Sequence, residues 1–160
     1  MRVQDVMTWE VESCAPDSNL AQVAEIMWRR DCGIVPVVEN PKNRLVGVVT
    51  DRDICIASAT KHLEPALIAA RDAMTPSLLT CSPTDDVHVA LKTMGEATVR
   101  RLPVIDPEGA LVGILSLNDC ILAAEKSDRR ADAKLTYRDV LETLKTIAAH
   151  RERTELVEAR

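Results

Sequence analysis

Apolar residues recur along this chain at two spacings, and the order in which those spacings alternate is itself repeated. Leu20, Val23, Ala24 and Met27 step by three and four residues, which places them on one face of a helix. Asp17-Ser-Asn19 just ahead supplies side chains suited to a helix N-cap. Val87, Ala90, Leu91 and Met94 take the same steps later. Each helical stretch is followed by two short runs rich in β-branched residues: Ile34–Val38 then Arg44–Val49, and Leu102–Ile105 then Ala110–Leu115. Pro, Asn and Gly lie between the members of each pair, which predicts two hairpins. A second helix is expected after each, from about Asp53 and from about Asn118. Gly33 is expected to end the first helix in the left-handed conformation.

The two halves align at a constant offset. Asp5-Val-Met-Thr8 falls on Asp72-Ala-Met-Thr75, Cys14 on Cys81, Pro16 on Pro83, and Pro36-Val37 on Pro103-Val104. One residue is lost in the hairpin turn, after which Leu45-Val-Gly47 falls on Leu111-Val-Gly113, Thr50 on Ser116 and Asp53 on Asp119. The chain is a duplication of one strand–helix–strand–strand–helix unit. Such a unit is too small to bury both faces of its sheet, so two are expected to cover each other. The fold class is α+β.

Gly47-Val-Val-Thr-Asp-Arg-Asp53 and Gly113-Ile-Leu-Ser-Leu-Asn-Asp119 carry the chemistry. Each reads glycine, two aliphatics, a hydroxyl residue, two variable residues and an acid, where a strand hands over to a helix. The three-residue spacing sets hydroxyl and carboxylate on one side of the first helical turn. Free N–H groups and the positive dipole end there suit an anion or a sugar hydroxyl. Ser or Thr followed three residues later by an acid is also a capping box. The two readings are compatible, and the duplication favours a ligand site that caps as well.

These segments together, in duplicate, resemble a tandem pair of CBS domains, the Bateman module, over about residues 1–127. The resemblance implies two pseudo-symmetric units packed through their sheets, with clefts for AMP, ADP or ATP, or S-adenosylmethionine as another adenosyl ligand. It implies no required cofactor and no catalysis. Carried over, Asp53 and Asp119 hold ribose hydroxyls, with Thr50 and Ser116 beside them. Gly33, Ile34 and Val35 before Pro36, and Arg100, Arg101 and Leu102 before Pro103, line the base pockets. Thr8 and Thr75-Pro76 supply a further wall, and which repeat each belongs to is left open. Arg52 stands where the second copy has Asn118, and Arg100-Arg101 where the first has Gly33-Ile34. The clefts are therefore expected to be unequal, with phosphate met by Arg52, Arg100 or Arg101.

The domains expected are residues 1–60 as the first repeat, 61–72 as a linker or helix, 73–127 as the second repeat and 128–160 as a charged helical extension. In that extension Thr136-Tyr-Arg-Asp139 starts a helix whose stripe is Val140, Leu141, Leu144, Ile147 and Ala148; residues 151–160 are expected to fray. Its stripe suits packing on its own globule or a partner helix.

Composition narrows the function. Trp9, Trp28 and Tyr137 are the only aromatics, so the core must be aliphatic. A net charge of −5 argues against a nucleic-acid partner, whose phosphates call for a basic surplus. No apolar run is long enough to span a bilayer, and no h-region opens the chain. Five scattered cysteines suit a reducing compartment, so a cytoplasmic location is expected, with Cys14 and Cys81 as core fillers. His62, His88 and His150 lie in no metal-binding spacing. The reading is a nucleotide-sensing regulatory module, a homodimer signalling to a protein target; the alternative is a structural dimerisation module with no bound nucleotide.

Overall fold

The structure is a computed structural model that describes residues 1–76, 78–125 and 134–158, with side chains described as far as residue 149. In chain order its elements are β1 (Thr8–Trp9), α1 (Leu20–Arg30), β2 (Ile34–Glu39), β3 (Arg44–Thr50), α2 (Asp51–Lys61), α3 (Val87–Glu96), β4 (Arg101–Ile105), β5 (Leu111–Ser116), α4 (Leu117–Ala123) and α5 (Tyr137–Glu158). Single 3-10 turns occur at Val3–Asp5, Pro65–Leu67 and Ala70–Asp72. The helix–hairpin–helix order expected for each repeat is present twice. The helices after the hairpins begin slightly earlier than expected, at Asp51 and Leu117, because Thr50 and Ser116 are themselves the N-caps.

The chain divides into two compact units, Met1–Trp9 with Leu79–Val104 and Val112–Arg160, and Glu10–Leu78 with Ile105–Leu111. The segment ahead of each repeat therefore belongs with the sheet of the other. In the first unit β1 pairs antiparallel with β5, Thr8 opposite Ile114 and Trp9 opposite Gly113, so the sheet order is β1-β5-β4. Cys81 adds a parallel bridge to Val104 on the far side. In the second unit β2 pairs antiparallel with β3. Thr75 bridges to Val48 of β3, and Cys14 bridges in parallel to Val37 of β2. The two sheets are thus built alike.

Local chemistry explains the helix limits. Asn19 accepts from the Gln22 N–H at 3.0 Å while the Gln22 side chain accepts from the Asn19 N–H at 3.1 Å, a reciprocal box that starts α1. The left-handed residue that ends α1 is Asp31, at φ 48°, and not Gly33 as its composition suggested. Asp31 turns the chain at once, and the Cys32 N–H then returns to the Met27 carbonyl at 3.0 Å. Thr98, the equivalent residue after α3, is also left-handed at φ 57°.

Both cores are aliphatic, as the composition required. One gathers Leu20, Val23, Val35, Val37, Val49 and Ile68; the other gathers Val87, Leu91, Met94, Leu102, Leu115 and Leu135. All three aromatics are exposed. Cys14 and Cys81 fill the cores, and burial pushes their thiols up to about 11 and about 12, which keeps them protonated and unreactive. Cys120, in the same core as Cys81, is pushed to about 12 chiefly by burial.

The terminal helix α5 packs on α3 and α4 of its own unit. Its buried positions are Val140, Thr143 and Ile147, with Leu144 half-buried. Leu141 and Ala148, assigned to the stripe from the sequence, are exposed. The threonine holds the line that an apolar count misses, because its hydroxyl donates to the Asp139 carbonyl at 3.1 Å and leaves its methyl facing inwards. The helix continues to Glu158, so residues 151–158 are helical where fraying was expected; residues 159–160 and the charged stretch 126–133 lie outside the described residues.

The glycine of each hairpin follows from the leader segments. A β-carbon on Gly113 would sit 2.5 Å from the Thr8 carbonyl oxygen and 3.2 Å from Met7 Cε. One on Gly47 would collide with the Met74 side chain. A methionine can move aside, whereas a paired strand cannot. Gly113→Ala is therefore expected to destabilise the protein by about 2–3 kcal/mol and Gly47→Ala by about 1 kcal/mol. Urea unfolding of both variants checks the order.

Candidate functional site

Each hairpin ends at a hydroxyl residue that starts the following helix. At Thr50 the Asp53 carboxylate accepts from the Thr50 N–H at 2.8 Å and from its hydroxyl at 2.7 Å, while the Asp53 N–H donates back to the Thr50 oxygen at 3.3 Å. At Ser116 the matching bonds to Asp119 are 2.8, 2.6 and 3.2 Å. In both boxes one carboxylate oxygen, Oδ2, takes both bonds. The capping role of the motif is therefore present. It does not exhaust the acid at Asp53, whose Oδ1 takes no bond from another described residue.

The fold sorts the remaining predicted residues into two groups. Thr50, Arg52 and Asp53 share a unit with Gly33, Ile34, Val35, Pro36, Thr75 and Pro76. Antiparallel pairing sets Ile34 opposite Thr50, and Thr75 bridges to Val48 two residues before it. Ser116 and Asp119 share the other unit with Arg100, Arg101, Leu102, Pro103 and Thr8. Here the Thr8 hydroxyl donates to Asp119 Oδ1 at 3.3 Å. Thr8 thus lies beside the second motif, and Thr75 beside the strand that carries the first.

Burial separates residues whose side chains can meet a ligand from those that cannot. Val35 and Leu102 are core side chains, at 0% and 1% exposure, so any contact from these positions is through their backbone. Pro36 and Pro103 are buried as well. Ile34 and Arg101 are half-buried, and Arg52 and Arg100 are exposed. Thr8, Thr75 and Pro76 are exposed, while Thr50, Asp53, Ser116 and Asp119 are half-buried.

One neighbour of the site escaped the sequence reading, and one expected helix start proves to be a third box. Trp9 sits next to Thr8, half exposed, with its indole N–H donating to the Gln4 carbonyl at 3.3 Å; its counterpart in the other copy is Pro76. Thr136 and Asp139 form a third reciprocal box, with bonds of 2.9, 2.6 and 3.4 Å. Thr136-Tyr-Arg-Asp139 repeats the Thr-x-Arg-Asp of Thr50–Asp53, which was a visible signal. His88 stands over this box, 3.5 Å from Asp139 and 2.8 Å from Asp86. Burial is the largest single influence on the Asp139 carboxyl and opposes its ionisation. The Thr136 hydroxyl and N–H, with the His88 ring, together outweigh it and hold the group below the usual carboxylate range.

Among the described residues no group of three His, Cys, Asp or Glu is placed to hold a metal, and no helix is long and apolar enough to cross a membrane.

Comparison with known proteins places these features in context. The CBS domain family model matches residues 3–60 and again residues 70–126. A Methanopyrus kandleri protein, MK0525, is 30% identical over 74% of this chain, and the chain spans 60% of its length. The CBS domain-containing protein YhcV of Bacillus subtilis is 30% identical over 84% of this chain and 92% of its own. Among solved structures, CBSX2 in complex with AMP is 27% identical and covers 76% of this chain and 94% of that one, with a TM-score of 0.66. A CBS domain protein from Pyrobaculum aerophilum, PAE2072, complexed with AMP, is 25% identical and covers 91% and 99%, with a TM-score of 0.69.

Two consequences of the boxes are measurable. Thr50→Ala and Ser116→Ala should each cost about 1 kcal/mol of stability in nucleotide-free protein, as loss of an N-cap does; denaturant unfolding reads this. Asp139, with its folded-state carboxyl held low, contributes stability that is complete above the usual carboxylate range and is lost as pH falls through its folded value. Between pH 6 and pH 3, at about the range where carboxylates titrate, wild type should lose more stability than Asp139→Asn.

Proposed function

This chain belongs to the CBS domain family, and from that premise we propose that it is a regulatory module that binds an adenine nucleotide and carries out no chemistry on it. The observation that carries the reading is the duplicated strand-to-helix box. A carboxylate is fixed by the helix it caps, at the positive end of a helix dipole, and in the first box its second oxygen takes no bond from another described residue. A ribose offers vicinal hydroxyls to that oxygen, and a phosphate suits the N–H groups and Arg52. CBSX2 and PAE2072, both solved with AMP, support AMP as the first ligand to test.

In this reading Asp53 and Asp119 receive the ribose hydroxyls, with Thr50 and Ser116 holding each acid in place. The backbone at Gly33–Val35 and at Arg100–Leu102 meets the base, and Thr75-Pro76 and Thr8 close one side. Arg52, Arg100 and Arg101 meet phosphate. Binding alters how the module presents itself to a second copy of the chain or to a protein target, and the signal passes on without turnover.

Thermal unfolding of nucleotide-free protein tests this with AMP, ADP, ATP and S-adenosylmethionine in turn. A ligand at about a hundred times its dissociation constant adds about 2.7 kcal/mol, a rise of several degrees for a chain of this size. AMP should raise the midpoint, and reversing the charge of Arg52, Arg100 and Arg101 together should shrink the rise. No rise with any of the four would overturn the reading in favour of a structural dimerisation module, and release of a new product from bound AMP would overturn the absence of chemistry.

A further inference from the structure

We infer that the two sites are unequal, and that AMP takes the one at the start of α2, one nucleotide per chain, because the site at the start of α4 is closed by the chain's own groups. This deepens the reading above and rests on it.

Equivalent atoms of the two copies differ in whether they already have partners. The Leu117 N–H, first of α4, donates to the Arg100 carbonyl at 3.0 Å. Their counterparts, the Asp51 N–H and the Gly33 carbonyl, flank the Ile34–Thr50 pair that ends the β2–β3 ladder. The second oxygen of Asp119 takes the Thr8 hydroxyl at 3.3 Å. The second oxygen of Asp53 takes none among the described residues, and Thr75, the counterpart of Thr8, is tied to Val48 through backbone alone. The second carboxylate oxygen is therefore open in one copy and occupied in the other, and on the α2 side the Arg52 N–H is held only by the exposed Asp51 side chain, at 2.7 Å. A ligand entering the α4 site must first break bonds that its own contacts only replace, so the net gain there is small.

The helices differ in the same sense. Leu117 is a core residue, at 3% exposure, and pins the first turn of α4 to the hydrophobic interior. Asp51 in the same place on α2 is exposed. α2 runs for 11 residues and α4 for 7, so α2 presents the fuller dipole to an anion. Its first turn also carries Arg52 where α4 has Asn118. Arg100 and Arg101 give the α4 side cationic charge, but charge alone does not reopen occupied hydrogen-bonding groups.

Calorimetric titration of the full, nucleotide-free chain with AMP gives the stoichiometry, and amide-resolved NMR during the same titration gives the location. The expected result is about one AMP per chain, movement of the Asp51 and Arg52 amides, and a still Leu117 amide. Asp53→Asn should weaken AMP about tenfold or more, as loss of hydrogen bonds to a charged acceptor does. Should Asp53→Asn fail to fold, the wild-type amide map decides alone. Two equivalents per chain, or movement at Leu117 with Asp51 still, overturns this inference and leaves AMP binding standing. Absence of binding at millimolar AMP overturns both.

Discussion

Both sheets depend on the close approach of a leader segment to a hairpin glycine. At Gly113 the Thr8 carbonyl lies where any β-carbon would be, and at Gly47 the Met74 side chain fills the same space. The pairing of β1 with β5, the bridge of Thr75 to Val48, the burial of Met7, and the nearness of Thr8 to Asp119 all depend on it. The repeated Leu-Val-Gly is a consequence of this packing, since a residue with a side chain would push the leader off the strand and take the site wall with it.

On that scaffold each Thr/Ser-x-x-Asp box makes two bonds with one carboxylate oxygen. Oδ2 satisfies the first N–H and the hydroxyl, which is how a helix start avoids orphaned donors. That leaves Oδ1 held in a fixed direction at little further entropic expense, and rigid support of this kind is what a binding group needs. The third box, at Thr136, shows that the device is first of all a way to start a helix. What distinguishes the earlier two is that each follows a hairpin strand whose glycine receives a leader.

Much of this was visible in the letters. The duplication, the hairpins, both amphipathic helices, the aliphatic cores and the motif acids follow from period, turn residues and composition. Misses arose where a local rule was overridden. Gly33 looked like a helix stop, but Asp31 reaches the left-handed region two residues sooner, as short polar residues do. Leu141 looked like a core residue on α5, yet Thr143 takes the inward position because its hydroxyl is satisfied within the helix. The exchange of leaders was not legible, because matching Asp5–Thr8 to Asp72–Thr75 reveals equivalence and says nothing about which sheet each joins. The two motif regions differ visibly in charge in the sequence, whereas the bond from Thr8 to Asp119 needed coordinates.

The exchange also sets an order of events during synthesis. Thr8 leaves the ribosome early but pairs with Ile114, about a hundred residues downstream. Until that partner emerges, the leading segment has no strand to join, and its buried residues Val3 and Met7 have no core. Thr75, by contrast, follows Val48 closely enough to complete its sheet soon after it appears. The unit holding α1 and α2 can therefore consolidate before the unit in which β1 pairs with β5, which closes with the slow kinetics that non-local pairing imposes.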